Sequence, residues 1–241
     1  AMLIIVVGIG YYLYRAVPIG TGYTAKYICS ATFISKRDPA TVFKHDVAPV
    51  NLLAAVIRPQ VDYTQNTVKA SAGGIFNSRA IYRDACGCTL VVGTSEETLR
   101  NQSCRQNLLM PLPEDQPWPL GRRGSTHPKT SEINLKKLHR ALENAFAEPD
   151  TGQWRQTRAV VIAHDGRLIA ERYAEGFHQD MPMFGWSMSK SIVNALVGIL
   201  VYQKKLDIHD KAPVPEWSVS DDPRKMITID QLLRMSSGIE F

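Results

Sequence analysis

Ser187 and Lys190 are the residues of this 241-residue chain whose types and spacing point most directly to chemistry. On a helix, residues three apart share a face, so the lysine amine can approach the serine hydroxyl. The run Ser191 to Val201 is apolar except for Ser191 and Asn194, and this predicts a helix with Ser187 at its positive end. A nucleophilic oxygen and a developing oxyanion are both favoured there. That potential, with burial beside the apolar run, is expected to lower the Lys190 pKa so that a neutral amine can accept the hydroxyl proton. Alone, Ser-x-x-Lys arises by chance about once in a chain of this size, and a surface lysine beside a helix-start serine is the plain alternative.

Two rival schemes involve the same region. Gly185-Trp186-Ser187-Met188-Ser189 approaches Gly-x-Ser-x-Gly but ends in serine, whereas a nucleophile elbow relies on small glycines. His164, His178 and His209 could act as bases in a Ser-His-Asp arrangement, yet nothing in the sequence assigns any of them a partner. Ser–Lys is the preferred pair.

Cys29, Cys86, Cys88 and Cys104 form an even set outside any metal-ligand pattern, since Cys-Gly-Cys is too tight for a zinc knuckle. One or two disulfides in an oxidising compartment are expected, with three full pairings open. No metal or organic cofactor is implied.

The elements that must position these residues are clearest past residue 130. Ser131 can cap a helix carrying Leu135, Leu138, Leu142, Ala145 and Phe146, closed by Pro149. Residues 159–163 and 168–170 flank Asp165-Gly166, a strong two-residue hairpin signal. The apolar run after Lys190 is too short for a membrane span and is expected in the middle of a folded domain. Residues 207–217 read as a proline-containing loop, and Thr228 can cap a short helix from Ile229 to Met235, stopped around Gly238. A helix followed by an antiparallel hairpin predicts a mixed α/β (α+β) architecture.

Earlier patterns are weaker. Cys88 to Val92 reads as a strand ended by Gly93, and Ser95 as a helix start leading to Leu99. The rest of residues 26–110 does not assemble into a recognisable architecture. Pro111, Pro113, Pro117 and Pro119 around Trp118, with Gly121 and Gly124 beyond, read as an extended connector.

Met2 to Tyr14 is uncharged and mostly apolar, and Arg15 is the only charge before Lys26. The stretch is shorter than the ~20 residues of an ordinary span, but it could cross if Arg15 snorkels. It is read as an uncleaved N-terminal anchor, with a signal peptide or a buried element of a soluble domain as alternatives.

The bulk composition, 44% hydrophobic and 21% charged, excludes disorder and coiled coil. The net charge of +5 is spread thinly: 11 basic and 8 acidic residues up to residue 120, then 17 and 15. Without a basic stripe interleaved with aromatics, nucleic-acid binding is not indicated. Arg122-Arg123 and Lys136-Lys137 read as solvated surface.

Three ordered blocks carry a family resemblance: Ser187-Met-Ser-Lys-Ser191 leading into Ala195 to Leu200, Pro213 to Trp217, and Ile227 to Gly238. They resemble the serine β-lactamase-related hydrolases, in particular the class C-like branch with 6-aminohexanoate-dimer hydrolases and related esterases. The resemblance covers residues 131–241 well and the preceding residues loosely. It implies a β-lactamase/penicillin-binding-protein-like antiparallel sheet with helices, Ser187 as acylated nucleophile, Lys190 as its base and the Ser187 N–H as half of an oxyanion hole. It also implies a Tyr-x-Asn and a Lys/His-x-Gly element beyond Gly238. Neither Tyr173 nor Tyr202 lies in the right motif to stand in for that tyrosine.

The expected organisation is an anchor or signal-like segment at 1–25, a cysteine-bearing region with a proline-rich connector at 26–126, and the N-terminal part of a serine hydrolase domain at 127–241. The expected substrates are small amides, esters or cell-wall peptides, and the expected location is the cell envelope, outside the cytoplasm. Little turnover is expected of these 241 residues alone. The competing expectation is a non-catalytic, envelope-anchored binding protein with a degenerate fold of the same kind.

Overall fold

A computed structural model describes residues 2–104, 112–121, 133–150, 152, 154–219 and 221–240, and for residues 2–9 and 12 the backbone only. The chain is a mixed α/β structure with antiparallel sheets. It divides into two compact units, residues 1–183 and 184–241, each described by itself.

In the first unit, helix α1 runs from Met2 to Cys29 with Pro18 inside it. Val17, Thr21, Thr24, Ala25 and Ile28 recur at helical spacing and are buried. They face a four-stranded antiparallel meander of β1 (Ile57–Asp62), β2 (Thr67–Ala72), β3 (Phe76–Arg83) and β4 (Gly87–Leu90). The buried face of the sheet carries Val68, Ala70 and Ala80, small enough for the helix to pack closely. Gly22 serves the same end, since a Cβ there would meet Leu90 Cδ2 at 3.2 Å. Thr21 shares a 2.7 Å hydrogen bond with Ser78, satisfying two hydroxyls in the interface.

The second half of α1 is therefore core. The side chains of most of the apolar stretch expected to anchor the chain lie outside the described residues. Among the described residues no helix is long and apolar enough to cross a membrane.

Two disulfides staple this unit. Cys29–Cys88 ties the end of α1 to β4, and Cys86–Cys104 closes the segment containing α3 (Glu96–Arg100). Among the three pairings open to the sequence, this is the one that follows from α1 lying along the sheet. The strand expected from Cys88 begins at Gly87, and Ser95 caps α3 by accepting from Thr98 N at 3.0 Å.

Helix α4 (Leu135–Phe146) forms where its periodicity predicts, but its cap is Asn134, which accepts from Lys137 N at 2.9 Å. Ser131, the expected cap, lies outside the described residues, as do Pro111, Arg122, Arg123 and Gly124. The hairpin follows, β5 (Ala159–His164) paired with β6 (Arg167–Tyr173). Asp165 and Gly166 both take positive φ, 46° and 70°, as the tight turn demands.

In the second unit, α5 (Met188–Tyr202) is followed by a 3-10 turn at Pro215–Trp217, inside the expected loop, and by α6 (Ile229–Leu233). Thr228 and Gln231 form a reciprocal capping box at the start of α6. The expectation that α5 is buried on all sides does not hold: Ile192 is 64% exposed and Leu196 56%. Residues 206–214 and α6 line an open cavity together with one side of the helix.

Candidate active site

Ser187 is the residue immediately before α5. Its hydroxyl makes no capping bond to the helix backbone and instead accepts from Lys190 Nζ at 2.9 Å. The two sequence-predicted site residues are thus brought together one turn apart, at the end of a 15-residue helix where the backbone dipoles are positive. Among the described residues no hydrogen bond takes up the Ser187 N–H, which leaves it able to donate to an anion.

The chain turns sharply into this position. Trp186 takes φ +43°, a left-handed conformation unusual for a bulky side chain. A Cβ at Gly185 would stand 2.9 Å from Ser189 Oγ, so a small residue eases the turn. Positive φ beside a candidate nucleophile is the kind of local strain that gathers at functional sites. The sequence reading missed Trp186, whose signal was only its place between Gly185 and Ser187.

A second missed feature is a polar stripe. Ser187, Lys190, Ser191 and Asn194 occupy positions i, i+3, i+4 and i+7, and so line one side of α5. Lys190, Ser191 and Asn194 border an open cavity of about 950 Å³ whose other walls include Val197, Leu232 and Met235. It has the size and largely apolar lining of a small-molecule site.

Lys190 itself is exposed, so the burial expected to favour its neutral form is not supplied by the described residues. His164 lies 3.5 Å from Asp165 in the hairpin, and the His209 N–H donates to Asp207 Oδ1 at 2.9 Å. The carbonyl of His178 accepts from Met181 N. Tyr202 stands at the far end of α5, roughly 22 Å from Ser187 at 1.5 Å per residue. The Tyr173 hydroxyl donates to Glu171 at 2.8 Å within β6.

Residues 142–241 match the family model described as Beta-lactamase. The matched stretch is less than half of the chain, and it supports the serine β-lactamase-related superfamily, whose members are in general serine hydrolases. The antiparallel hairpin and the helices inside it are consistent with a domain of that kind. No curated protein and no solved structure matches the chain.

Proposed function

We propose that this protein is a serine hydrolase acting through an acyl-enzyme, with Ser187 as nucleophile and Lys190 as its base. The observation that carries the reading is the 2.9 Å Lys190–Ser187 contact at the N-terminus of α5, inside the family-matched stretch. In the structure the amine donates to the hydroxyl. The base role reverses this: Lys190 enters unprotonated and takes the hydroxyl proton as Oγ bonds to the substrate carbonyl carbon. The carbonyl π pair moves to oxygen, where the Ser187 N–H donates to it. Collapse expels the amine or alcohol with a proton returned from Lys190, and water then cleaves the ester to Ser187.

The substrates are small amides, esters or peptidoglycan-like peptides, with generic esterase or amidase activity ahead of β-lactam hydrolysis. The kinship proposed is with the class C-like and 6-aminohexanoate-dimer hydrolase-like branch. The disulfides are compatible with an extracellular or periplasmic location. In this reading the start of α1 attaches the protein to the membrane from that side.

A fluorophosphonate probe tests the assignment. Intact-mass analysis is expected to find one adduct, mapped to Ser187, on the native protein and none on Ser187→Ala. Equal labelling of the alanine variant would overturn it.

One observation favours a second reading, a non-catalytic binding protein with a degenerate hydrolase fold. Lys190 is exposed, and among the described residues it is the only side chain hydrogen-bonded to Ser187. Absence of labelling combined with retained affinity for cell-wall fragments would decide for this alternative.

A further inference from the structure

Asp46 is the most deeply buried acidic side chain among the described ion pairs, 1% exposed, and the acyl-transfer reading makes no use of it. It lies at the end of a one-turn π-helical segment, Phe43–Val47, which continues α2 (Pro39–Val42). Its carboxylate accepts from the Arg37 guanidinium and the Tyr27 hydroxyl through Oδ2, and from the Arg158 guanidinium through Oδ1. Arg37 and Tyr27 belong to the stapled N-terminal module. Arg158 comes from 112 residues further on, within the family-matched stretch.

Arg158 sits at the open end of the hairpin. It directly precedes β5, and its carbonyl accepts from Ala174 N at 2.9 Å, one step beyond the last pair of β6. Phe177 completes the contact, with the Arg37 and Arg158 guanidinium carbons 5.0 Å and 5.5 Å from its ring centre. Ser35 adds a 2.6 Å hydrogen bond to the Pro182 carbonyl. Residues 35–46 of the module thus grip both ends of the segment 158–182.

The hairpin needs such a grip. Two strands alone are marginal in water, and of all the side chains in β5 and β6 only Leu168 is buried. A buried carboxylate must also be paired to be tolerated, and the Arg158 guanidinium is the partner of Asp46 Oδ1. We propose that the N-terminal disulfide-stapled module is an intramolecular docking platform for the first strands of the family-matched region, with Arg158 seated against Asp46 as the plug. The module in this reading is a folding partner of the hydrolase-like segment, more than a spacer between it and the membrane. The proposal stands whether or not Ser187 is acylated.

Hydrogen exchange on the full chain tests it. In Arg158→Gln, Asp46 keeps Arg37 and Tyr27 on Oδ2 and the shorter amide can still donate toward Oδ1, so the module is expected to stay folded. Amides of residues 159–164 and 168–173 are expected to exchange at least tenfold faster, with β1–β4 unchanged. The same pattern is expected for Phe177→Ala, which removes the ring beneath both guanidinium groups but leaves the carboxylate paired. Unchanged hairpin protection in Arg158→Gln would overturn the proposal. So would an equal loss across β1–β4, because the effect would then be general destabilisation.

Discussion

Lys190 Nζ lies 2.9 Å from Ser187 Oγ, with one helical turn between the two residues and no other described side chain hydrogen-bonded to that oxygen. Their mutual geometry is set by α5 itself, because residues i and i+3 are neighbours on any helix surface.

The role proposed for Lys190 can therefore be separated from stability. Its side chain is exposed, so Lys190→Ala should leave thermal unfolding within about 0.5 kcal/mol of the parent. Loss of a positioned base lowers reactivity by about 10²–10⁴-fold. The rate of fluorophosphonate labelling at Ser187 should fall by that order, and an undiminished rate would remove Lys190 from the mechanism.

The two disulfides close segments of different length, with sequence separations of 59 and 18. In the chain-entropy account the longer loop gives the larger stabilisation, about 4 against about 3 kcal/mol. Replacing both Cys29 and Cys88 by serine also places hydroxyls in a buried site, which adds to the loss. Urea titration should find this pair costlier than the Cys86/Cys104 pair. The opposite order would mean that the α1–β4 staple is not what holds the module.

Tyr173 makes a pH prediction. Burial, then the hydrogen bond to Glu171, then the charges of Glu171 and Asp180 push its phenol up to about 12. The folded state consequently holds a proton that the unfolded state, titrating near 10, has released. This contribution to stability is present below pH 10 and is lost as the pH rises from 10 to 12. Tyr173→Phe should flatten the alkaline decline of the unfolding free energy over that range. A phenolate absorbance titration should also lose one late-titrating group from the nine tyrosines. An unchanged alkaline limb would mean that Tyr173 ionises at its ordinary value.

The parts of the fold legible in the sequence are those decided within a few residues. Asp165-Gly166 specified its hairpin because few pairs tolerate two positive φ values, and Thr228 specified the start of α6 through its capping box. The helix of residues 135–146 was legible from its spacing, yet its start fell at Asn134, since several nearby polar residues could serve as a cap. The four-stranded meander was not legible. Its buried face relies on Ala70, Ala72 and Ala80, which carry little strand signal, and the apolar alternation is interrupted where β3 has Ala80 and Ile81 buried side by side.

By itself the sequence determined the Ser187–Lys190 pairing, because a three-residue spacing on a helix dictates the contact, and it determined that four cysteines could form two bridges. Tertiary structure decided which cysteines meet, since that depends on α1 lying against β2 and β3 with Cys29 beside Cys88. It alone brought Asp46 to Arg158, whose charges carry no local trace of one another across 112 residues. It also left Ile192 and Leu196 of α5 exposed among the described residues, where the composition of the helix indicated burial. Local rules act through backbone geometry and reach about one turn; burial and charge pairing depend on which distant segment arrives, and no short pattern encodes that.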